Sequence, residues 1–206
     1  MDEPYERRPP KKKRRAGPGP APTRASLHEA ALAYLTRGAA TADSVSKTLQ
    51  RRIANWARRA ARAGREREAL EQDVEAARAL VPEIVARLRE VGLVNDAALA
   101  ETRARRLERS GRSRRAIAAH LVQKGVDAAI VREAVPCDAG AELAAALAFT
   151  RRRRIGPFAR EEEDREARHK ALGAMARAGF DYDVCERALR MDREAAEERI
   201  RERDTF

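Results

Sequence analysis

The sequence is poor in the residues that hold disulfide-linked domains, metal sites and β-sheets together. It has only two cysteines, Cys137 and Cys185, which are too few for a disulfide framework and lack metal-ligand spacing. Aromatic residues make up 4% of the chain, and the β-branched and aromatic runs that strands require are scarce. There is no signal peptide and no apolar run long enough to cross a bilayer. We therefore expect a cytoplasmic protein with no membrane partner.

The sequence also lacks the motifs of common enzymes. His28, His120 and His169 are far apart and show no ligand spacing, and His120 falls on the apolar side of its predicted helix, which favours a packed histidine. The acidic run at 161–164 precedes a predicted helix, where carboxylates favour the N-terminal dipole. No Walker loop, GxSxG or HExxH occurs. We predict a protein that is not an enzyme and holds no metal or cofactor.

Charge and helix-forming residues dominate what is present. Charged residues make up 37% of the chain, the formal net charge is +11 and the pI is about 10.5. Alanine, arginine, leucine and glutamate are the commonest residues, as is typical of helical proteins. The positive charge indicates an anionic partner, with nucleic acid as the leading candidate.

The N-terminal region, residues 1–25, is rich in proline, lysine and arginine and has no residues with which to build a core. We predict a disordered basic tail. Its cations could tether the protein to phosphates or could simply keep the chain soluble, and both interpretations stay open. The cations that would contact phosphates are Lys11, Lys12, Lys13, Arg14 and Arg15.

One short pattern occurs twice. Gly125-Val126-Asp127 and Gly179-Phe180-Asp181 are each followed by four apolar residues on one helical face, namely Ile130, Val131, Ala134 and Val135 in the first copy and Val184, Cys185, Ala188 and Leu189 in the second. In each copy the glycine ends one helix, because it takes a positive φ at little cost. The aspartate is placed to cap the next helix. Such repetition predicts a tandem architecture.

Three further glycines, Gly38, Gly111 and Gly156, are predicted to end the first helix of each of three units. The longer interval after Gly38 implies a helical-hairpin insertion at about 54–78, with a seam that includes Trp56 and with Pro82 kinking or restarting its second helix. We predict an all-α fold of three tandem three-helix repeats, with the insertion in the first. The folded part begins near an N-cap at Ser26, and the predicted units are 26–94, 95–137 and 138–191, followed by a charged helix or tail at 192–206 whose own ion pairs need no partner.

A distinctive set of residues occupies the centre of the chain: Gly92-Leu93-Val94-Asn95-Asp96, then Ala100, Arg105, Ser110-Gly111, Ile117, Leu121 and Lys124-Gly125-Val126. This set resembles the central signature of the RecX family of RecA regulators, and the likeness extends over about residues 27–190. The resemblance implies an elongated, curved, all-helical array that binds RecA nucleoprotein filaments. It further implies inhibition of ATP hydrolysis, of strand exchange and of the co-protease role of the filament.

Helical periodicity separates a packing face from a basic face in the second unit. On the helix at 95–109, a stripe of Ala97, Ala100, Ala104 and Leu107 is predicted to pack closely against its neighbours. The cations that point elsewhere, from this helix and the next, are Arg105, Arg106, Arg109, Arg112, Arg115 and Lys124. We predict that they contact DNA or the protein partner.

The third unit ends its first helix with Arg151, Arg152, Arg153 and Arg154, four cations in about one turn. Cations suit the C-terminal end of a helix dipole, which accounts for one or two of them as a solvated helix end. Four in succession repel one another, which favours a contact with phosphates or an acidic surface.

These patterns support a monomeric, non-enzymatic modulator of RecA filaments that contacts the backbone of single- and double-stranded DNA without sequence specificity. A general basic DNA-binding protein that acts without RecA is the second hypothesis. A structural adaptor whose hairpin at 44–91 docks another helix is the third.

Overall fold

The computed structural model describes residues 18–160 and 164–204, so the predicted tail contacts of Lys11 to Arg15 lie outside the described residues. Within those ranges the chain forms ten α-helices, a short 3-10 turn at Gly156–Phe158 and no strand, which confirms the predicted all-α class. In chain order the helices are α1 (Arg24–Leu35), α2 (Ala42–Arg62), α3 (Arg67–Glu90), α4 (Asp96–Arg109), α5 (Arg114–Gln123), α6 (Ala128–Ala134), α7 (Ala139–Arg153), α8 (Arg165–Arg177), α9 (Tyr182–Arg190) and α10 (Arg193–Asp204).

Three separate hydrophobic clusters follow the order of the chain. The first joins α1, α2 and α3 around Leu27, Leu49 and Leu88, and the second joins α4, α5 and α6 around residues that include Leu121. The third joins α7 to α10 around residues that include Leu147. Successive clusters along one chain fit the predicted tandem repeats. The boundaries of the units stay a prediction.

Helices α2 and α3 form a long hairpin whose apolar faces pack on each other. Val45, Leu49 and Ile53 of α2 share the first cluster with residues of α3. Trp56 is 3% exposed, and its indole N–H donates to the carbonyl of Gly19 at 3.3 Å, so this part of the seam is satisfied within the chain. The hairpin therefore supplies no apolar face at Trp56 for an adaptor role.

Helix α3 continues through Pro82, so the predicted restart of the helix at this residue is wrong. Proline in a helix interior costs about 3 kcal/mol because it removes a hydrogen bond and crowds the preceding turn. Val81 and Ile84 on either side of it are buried in the first cluster. Their packing holds the helical path that the local sequence disfavours.

Capping residues set most helix starts, with two departures from the predicted caps. Asp127 caps α6 by accepting from Ala129 N at 2.8 Å, whereas Asp181 stands at the N-cap of α9 and makes no side-chain cap hydrogen bond. The first helix is capped by Thr23 rather than Ser26. The Thr23 hydroxyl accepts from the Ser26 amide and the Ser26 hydroxyl accepts from the Thr23 amide, so Ser26 is the other half of a reciprocal box.

The C-terminal helix α10 is part of the third core, contrary to the prediction that it needs no partner. Ala196 and Ile200 are fully buried in the cluster shared with α7. The Arg203 guanidinium donates to the carbonyls of Arg109 at 3.2 Å and Ala144 at 3.4 Å. Two apolar residues four positions apart place one face of this otherwise charged helix in the core, and the Arg203 hydrogen bonds attach its C-terminal end.

The second helices of successive units are joined end to end by the same hydrogen bond. The N-cap hydroxyl of Thr41, before α2, donates to the carbonyl of Lys124 at the end of α5, at 2.7 Å. The N-cap hydroxyl of Ser113, before α5, donates to the carbonyl of Ala178 at the end of α8, at 2.6 Å. Both hydroxyl-bearing residues are buried. We call these contacts the first and second joints.

The two cysteines differ in reactivity. Cys137 is exposed, whereas Cys185 is buried and its thiol donates to the Phe180 carbonyl at 3.8 Å. Burial, reinforced by the negative charge of Asp181, raises the pKa of the Cys185 thiol to about 11. The thiolate is the reactive form of cysteine, so Cys185 is protected in the folded chain.

We expect the native protein to react with one equivalent of a thiol reagent at about pH 8, near the pKa of an ordinary cysteine. The second equivalent should react only after unfolding in urea. Because the folded pKa lies above the unfolded one, the stability associated with this thiol is complete at neutral pH. It is lost as the pH rises from about 8.5, the unfolded pKa, to about 11. Two rapidly reacting thiols in the native protein would contradict this assignment.

Candidate nucleic-acid interface

Helix α4 buries a face close to the predicted one. Ala100 and Ala104 are buried and Leu107 is half-buried, as the stripe requires, but Ala97 is exposed. Leu99 is buried instead. The first turn of α4 therefore presents a different edge to the core than the alanine spacing suggested.

The predicted cations of α4 differ in their freedom to bind a partner. All three are exposed, but the Arg105 guanidinium pairs with the Glu101 carboxylate at 3.1 Å. No salt bridge of Arg106 or Arg109 occurs within the described part of the chain, although the positive charge of Arg109 acts on the neighbouring Glu108 and lowers the pKa of its carboxyl. Both lie in the last turn of α4, where the helix dipole favours a cation.

A second group of cations surrounds His120 on α5. Partial burial lowers the pKa of His120, and the positive charges of Arg103, Lys124 and Arg112 lower it further. Arg112 and Lys124 are exposed. Burial and these charges therefore disfavour the protonated imidazole.

Arg115 lies apart from that group, at the second joint. Its Cβ is 3.6 Å from the point that a Cβ on Gly179 would occupy. The structure thus divides the predicted cations of the second unit between the α4–α5 surface and the contact with the third unit.

The four consecutive arginines at the end of α7 divide into two kinds. The guanidinium of Arg152 lies 5.6 Å from the centre of the Phe149 ring and that of Arg153 lies 5.5 Å from it. Arg152 also donates to the backbone carbonyl of Ser110. Both guanidiniums thus lie over a buried ring, and Arg152 also ties α7 to the end of α4.

Arg151 and Arg154 are exposed and have no ion-pair partner among the residues that the structure describes. Arg154 has a φ of 56° and a ψ of 50°, the left-handed conformation that a side chain with a Cβ disfavours. Helix α7 thus ends at a strained arginine, two residues before the predicted stop at Gly156. Strain of this kind is concentrated at functional sites in proteins.

The ends of α4 and α7 meet where Gly111 lies against the backbone of Phe149. Arg109 and Arg112 flank Gly111 in the sequence, and Arg151 and Arg154 flank the two arginines at the end of α7, of which Arg152 donates to the Ser110 carbonyl. We define the α4–α7 patch as the four whose side chains have no ion pair within the described ranges: Arg109, Arg112, Arg151 and Arg154. Nearby, burial raises the pKa values of Glu108 and Glu142. Because the folded pKa values lie above the unfolded ones, the stability of the chain associated with these two carboxyls is present below the unfolded pKa and is lost as the pH rises through the folded pKa.

A second basic surface lies outside the residues that the sequence patterns singled out. A groove of about 1100 Å³ opens between α1, α2 and the segment that begins at Pro18. Its arginines are Arg37, Arg51, Arg52, Arg58, Arg59 and Arg62. Five of them come from α2, at the spacing of one broad helical face, which is the signal that could have revealed the groove.

The described residues offer little for other chemistry. Within them, no group of three or more histidine, cysteine, aspartate or glutamate residues is placed to hold a metal ion. None of the described helices combines the length and apolar character that crossing a bilayer demands.

The chain is similar to proteins of one family. Residues 95–135 match the family model described as RecX, second three-helix domain. The regulatory protein RecX of Myxococcus xanthus (strain DK1622) is 38% identical over 187 residues, which cover 87% of this chain and 94% of the relative. The regulatory protein RecX of Agrobacterium fabrum is 35% identical over 105 residues, which cover 51% of this chain and 56% of the relative. The crystal structure of RecX from Lactobacillus salivarius superposes with a TM-score of 0.57 at 18% identity, covering 89% of this chain and 97% of that one.

Proposed function

Because the chain belongs to the RecX family of regulatory proteins, we propose that it binds filaments of the RecA recombinase on DNA and inhibits them. The steps inhibited are ATP hydrolysis, strand exchange and the co-protease activity of the filament. The protein acts by binding rather than by catalysis.

The observation that supports this proposal is the α4–α7 patch. Its four arginines are exposed, have no ion pair in the parts of the chain that are described, and come from two units that cross at Gly111. Exposed guanidiniums form paired hydrogen bonds with phosphate oxygens, which gives them both attraction and orientation on a DNA backbone.

The mechanism follows from the tandem architecture. A row of helical units presents an extended surface, whereas a single compact bundle presents a small one. In a filament groove, the α4–α7 patch would contact phosphates while other surfaces of the same units contact RecA. A protein held this way interferes with the contacts between RecA subunits and with nucleotide turnover.

The direct test is RecA ATPase activity on single-stranded DNA, titrated with this protein at several salt concentrations. We expect inhibition at well below one molecule per RecA subunit, because one bound molecule spans and disturbs neighbouring subunits. Inhibition that begins only when the DNA is coated would favour a general DNA-binding protein that acts without RecA. No inhibition at any ratio would overturn the proposal.

The α4–α7 patch is tested by the triple variant Arg109→Ala, Arg151→Ala and Arg154→Ala. Arg152 and Arg153 are left in place because they pack on Phe149. We expect half-inhibition to need roughly tenfold more protein. The slope of log affinity for the filament against log salt concentration should fall by about two to three, because three phosphate contacts are lost.

The matched control for the patch is Arg78→Ala, Arg132→Ala and Arg187→Ala. These arginines are also exposed and form no ion pair with a described residue. The control lowers the net charge equally, so an equal loss in both variants would show that the α4–α7 patch has no special role.

A further inference from the structure

The groove between α1 and α2 is built by parts of the chain that are far apart in sequence. Ala30, Ala33 and Tyr34 of α1 form one wall, and residues 48–62 of α2 form another. The segment Pro18 to Thr23 closes a third side, held by the hydrogen bond from Trp56 to the Gly19 carbonyl. The groove is thus a defined feature of the first unit.

The charge of the groove has one sign. All six of its arginines are exposed, and no aspartate or glutamate lines it among the residues that the structure describes. Arg58 donates to the Asn55 side chain, and none of the six forms an ion pair within the described residues. The dipole of α2 favours Arg59 and Arg62 in its last turn. It does not account for the arginines earlier in the helix or for Arg37 on α1.

Three of the groove arginines on α2 face away from the hydrophobic core of the first unit. Arg51, Arg58 and Arg62 lie roughly opposite the buried stripe that includes Ile53 and Trp56. From Arg51 to Arg62 the helix rises about 16 Å, at 1.5 Å per residue. Like charges along that row repel one another, and an anionic chain lying along it would relieve the repulsion.

The dimensions select the kind of occupant. The row of arginines on α2 runs for about 16 Å along an open groove of about 1100 Å³. A DNA duplex, whose major groove alone is about 12 Å wide, is far too large to enter. A single extended polyanion fits.

We propose that this groove, here named the α1–α2 groove, binds the backbone of single-stranded nucleic acid. Arginine suits this role because its planar guanidinium donates to two phosphate oxygens at once. The proposal goes beyond the proposed function, because the site is built by the first unit, shares no residue with the α4–α7 patch and requires no RecA. Two phosphate-binding sites on different units would let one molecule hold DNA at two places along the chain.

The test is fluorescence anisotropy of the full-length protein with a labelled oligothymidine of about 30 nucleotides, long enough to exceed one single-strand binding site. RecA is absent, and the salt concentration is varied. In the triple variant Arg51→Ala, Arg58→Ala, Arg62→Ala we expect the affinity to fall about tenfold. The slope of log affinity against log salt concentration should fall by about 2, because each of the three lost phosphate contacts contributes about 0.7. Replacing the same three residues by lysine should restore most of the slope, because the charge is kept.

The control is again Arg78→Ala, Arg132→Ala, Arg187→Ala, which removes the same charge from exposed sites elsewhere. Equal losses in the groove variant and the control, or unchanged binding in the groove variant, would overturn the proposal. So would a groove variant that keeps its affinity for DNA but loses affinity for polyglutamate, which would assign the groove to an acidic protein segment.

The outcome is independent of the proposed function. Failure of the wild-type protein to inhibit the RecA ATPase would contradict the regulatory proposal but would not affect the proposal that the groove binds single-stranded nucleic acid. Unfolding midpoints of both variants, followed by circular dichroism, should match that of the wild type, since all six substituted side chains are exposed.

Discussion

Replacing Gly111 by alanine should destabilise the chain by about 3 kcal/mol, roughly a 100-fold change in the folding equilibrium. Gly111 has a φ of +75°, where a Cβ costs about 1–2 kcal/mol. An added Cβ would also lie 2.7 Å from the backbone nitrogen of Phe149 and 3.0 Å from the carbonyl carbon of Ala148. These are backbone atoms within a buried helix, so no flexible side chain can move aside.

The overlap forces α4 and α7 apart. Phe149 is 3% exposed and belongs to the third cluster, so separating the helices opens that core to solvent. Strain from overpacking typically adds about 1–3 kcal/mol to the conformational cost. The α4–α7 patch would be disturbed as well, since it depends on the same crossing.

The matched control is Gly64→Ala, in the turn between α2 and α3. Gly64 has a φ of +84°, and nothing lies within 4 Å of the position of its added Cβ. It should therefore lose only the conformational cost of about 1 kcal/mol. The midpoints of urea unfolding, followed by helical circular dichroism, compare the two. Equal losses would show that the approach of Gly111 to Phe149 contributes nothing to stability.

Local signals in the sequence were enough to predict the helices of the second unit. Helix α5 starts one residue after Ser113 and ends two residues before Gly125, which has a φ of +78°. A hydroxyl that caps and a glycine that accepts a positive φ act over three or four residues, so their effect is visible in the sequence. The repeated pattern likewise placed Gly179 just after the end of α8, and Asp127 and Asp181 just before the starts of α6 and α9.

Features that depend on contacts between distant residues were not predictable in this way. The burial of Ile200 needs a third core that only the folded chain supplies. The α1–α2 groove needs the segment at 18–23, whose composition predicts a tail, to lie against Trp56. In the arginine run, the division between packed and free side chains depends on where Phe149 falls. Helical periodicity gives the direction of a side chain but not its neighbour.

Removing the hydroxyl of Ser113 should cost about 2 kcal/mol, because it ends two interactions at the second joint. The Ser113 hydroxyl accepts from Ala116 N at 3.2 Å, which caps α5, and donates to the Ala178 carbonyl at 2.6 Å. Ser113 is fully buried, so water cannot readily replace either bond in Ser113→Ala. The loss of the cap weakens one unit, and the loss of the carbonyl contact loosens that unit from the next.

Ser110→Ala is the matched control, because Ser110 is exposed and its hydroxyl donates only to Leu107 O, one turn earlier. Its cost should stay within about 0.5 kcal/mol. Thr41→Ala tests the first joint, where the corresponding hydroxyl donates to Lys124 O and accepts from Ser44 N at 3.1 Å. If the two joints are equivalent, Thr41→Ala and Ser113→Ala lower the unfolding midpoint by similar amounts. A Ser113→Ala chain as stable as Ser110→Ala would mean that apolar packing alone holds the units together.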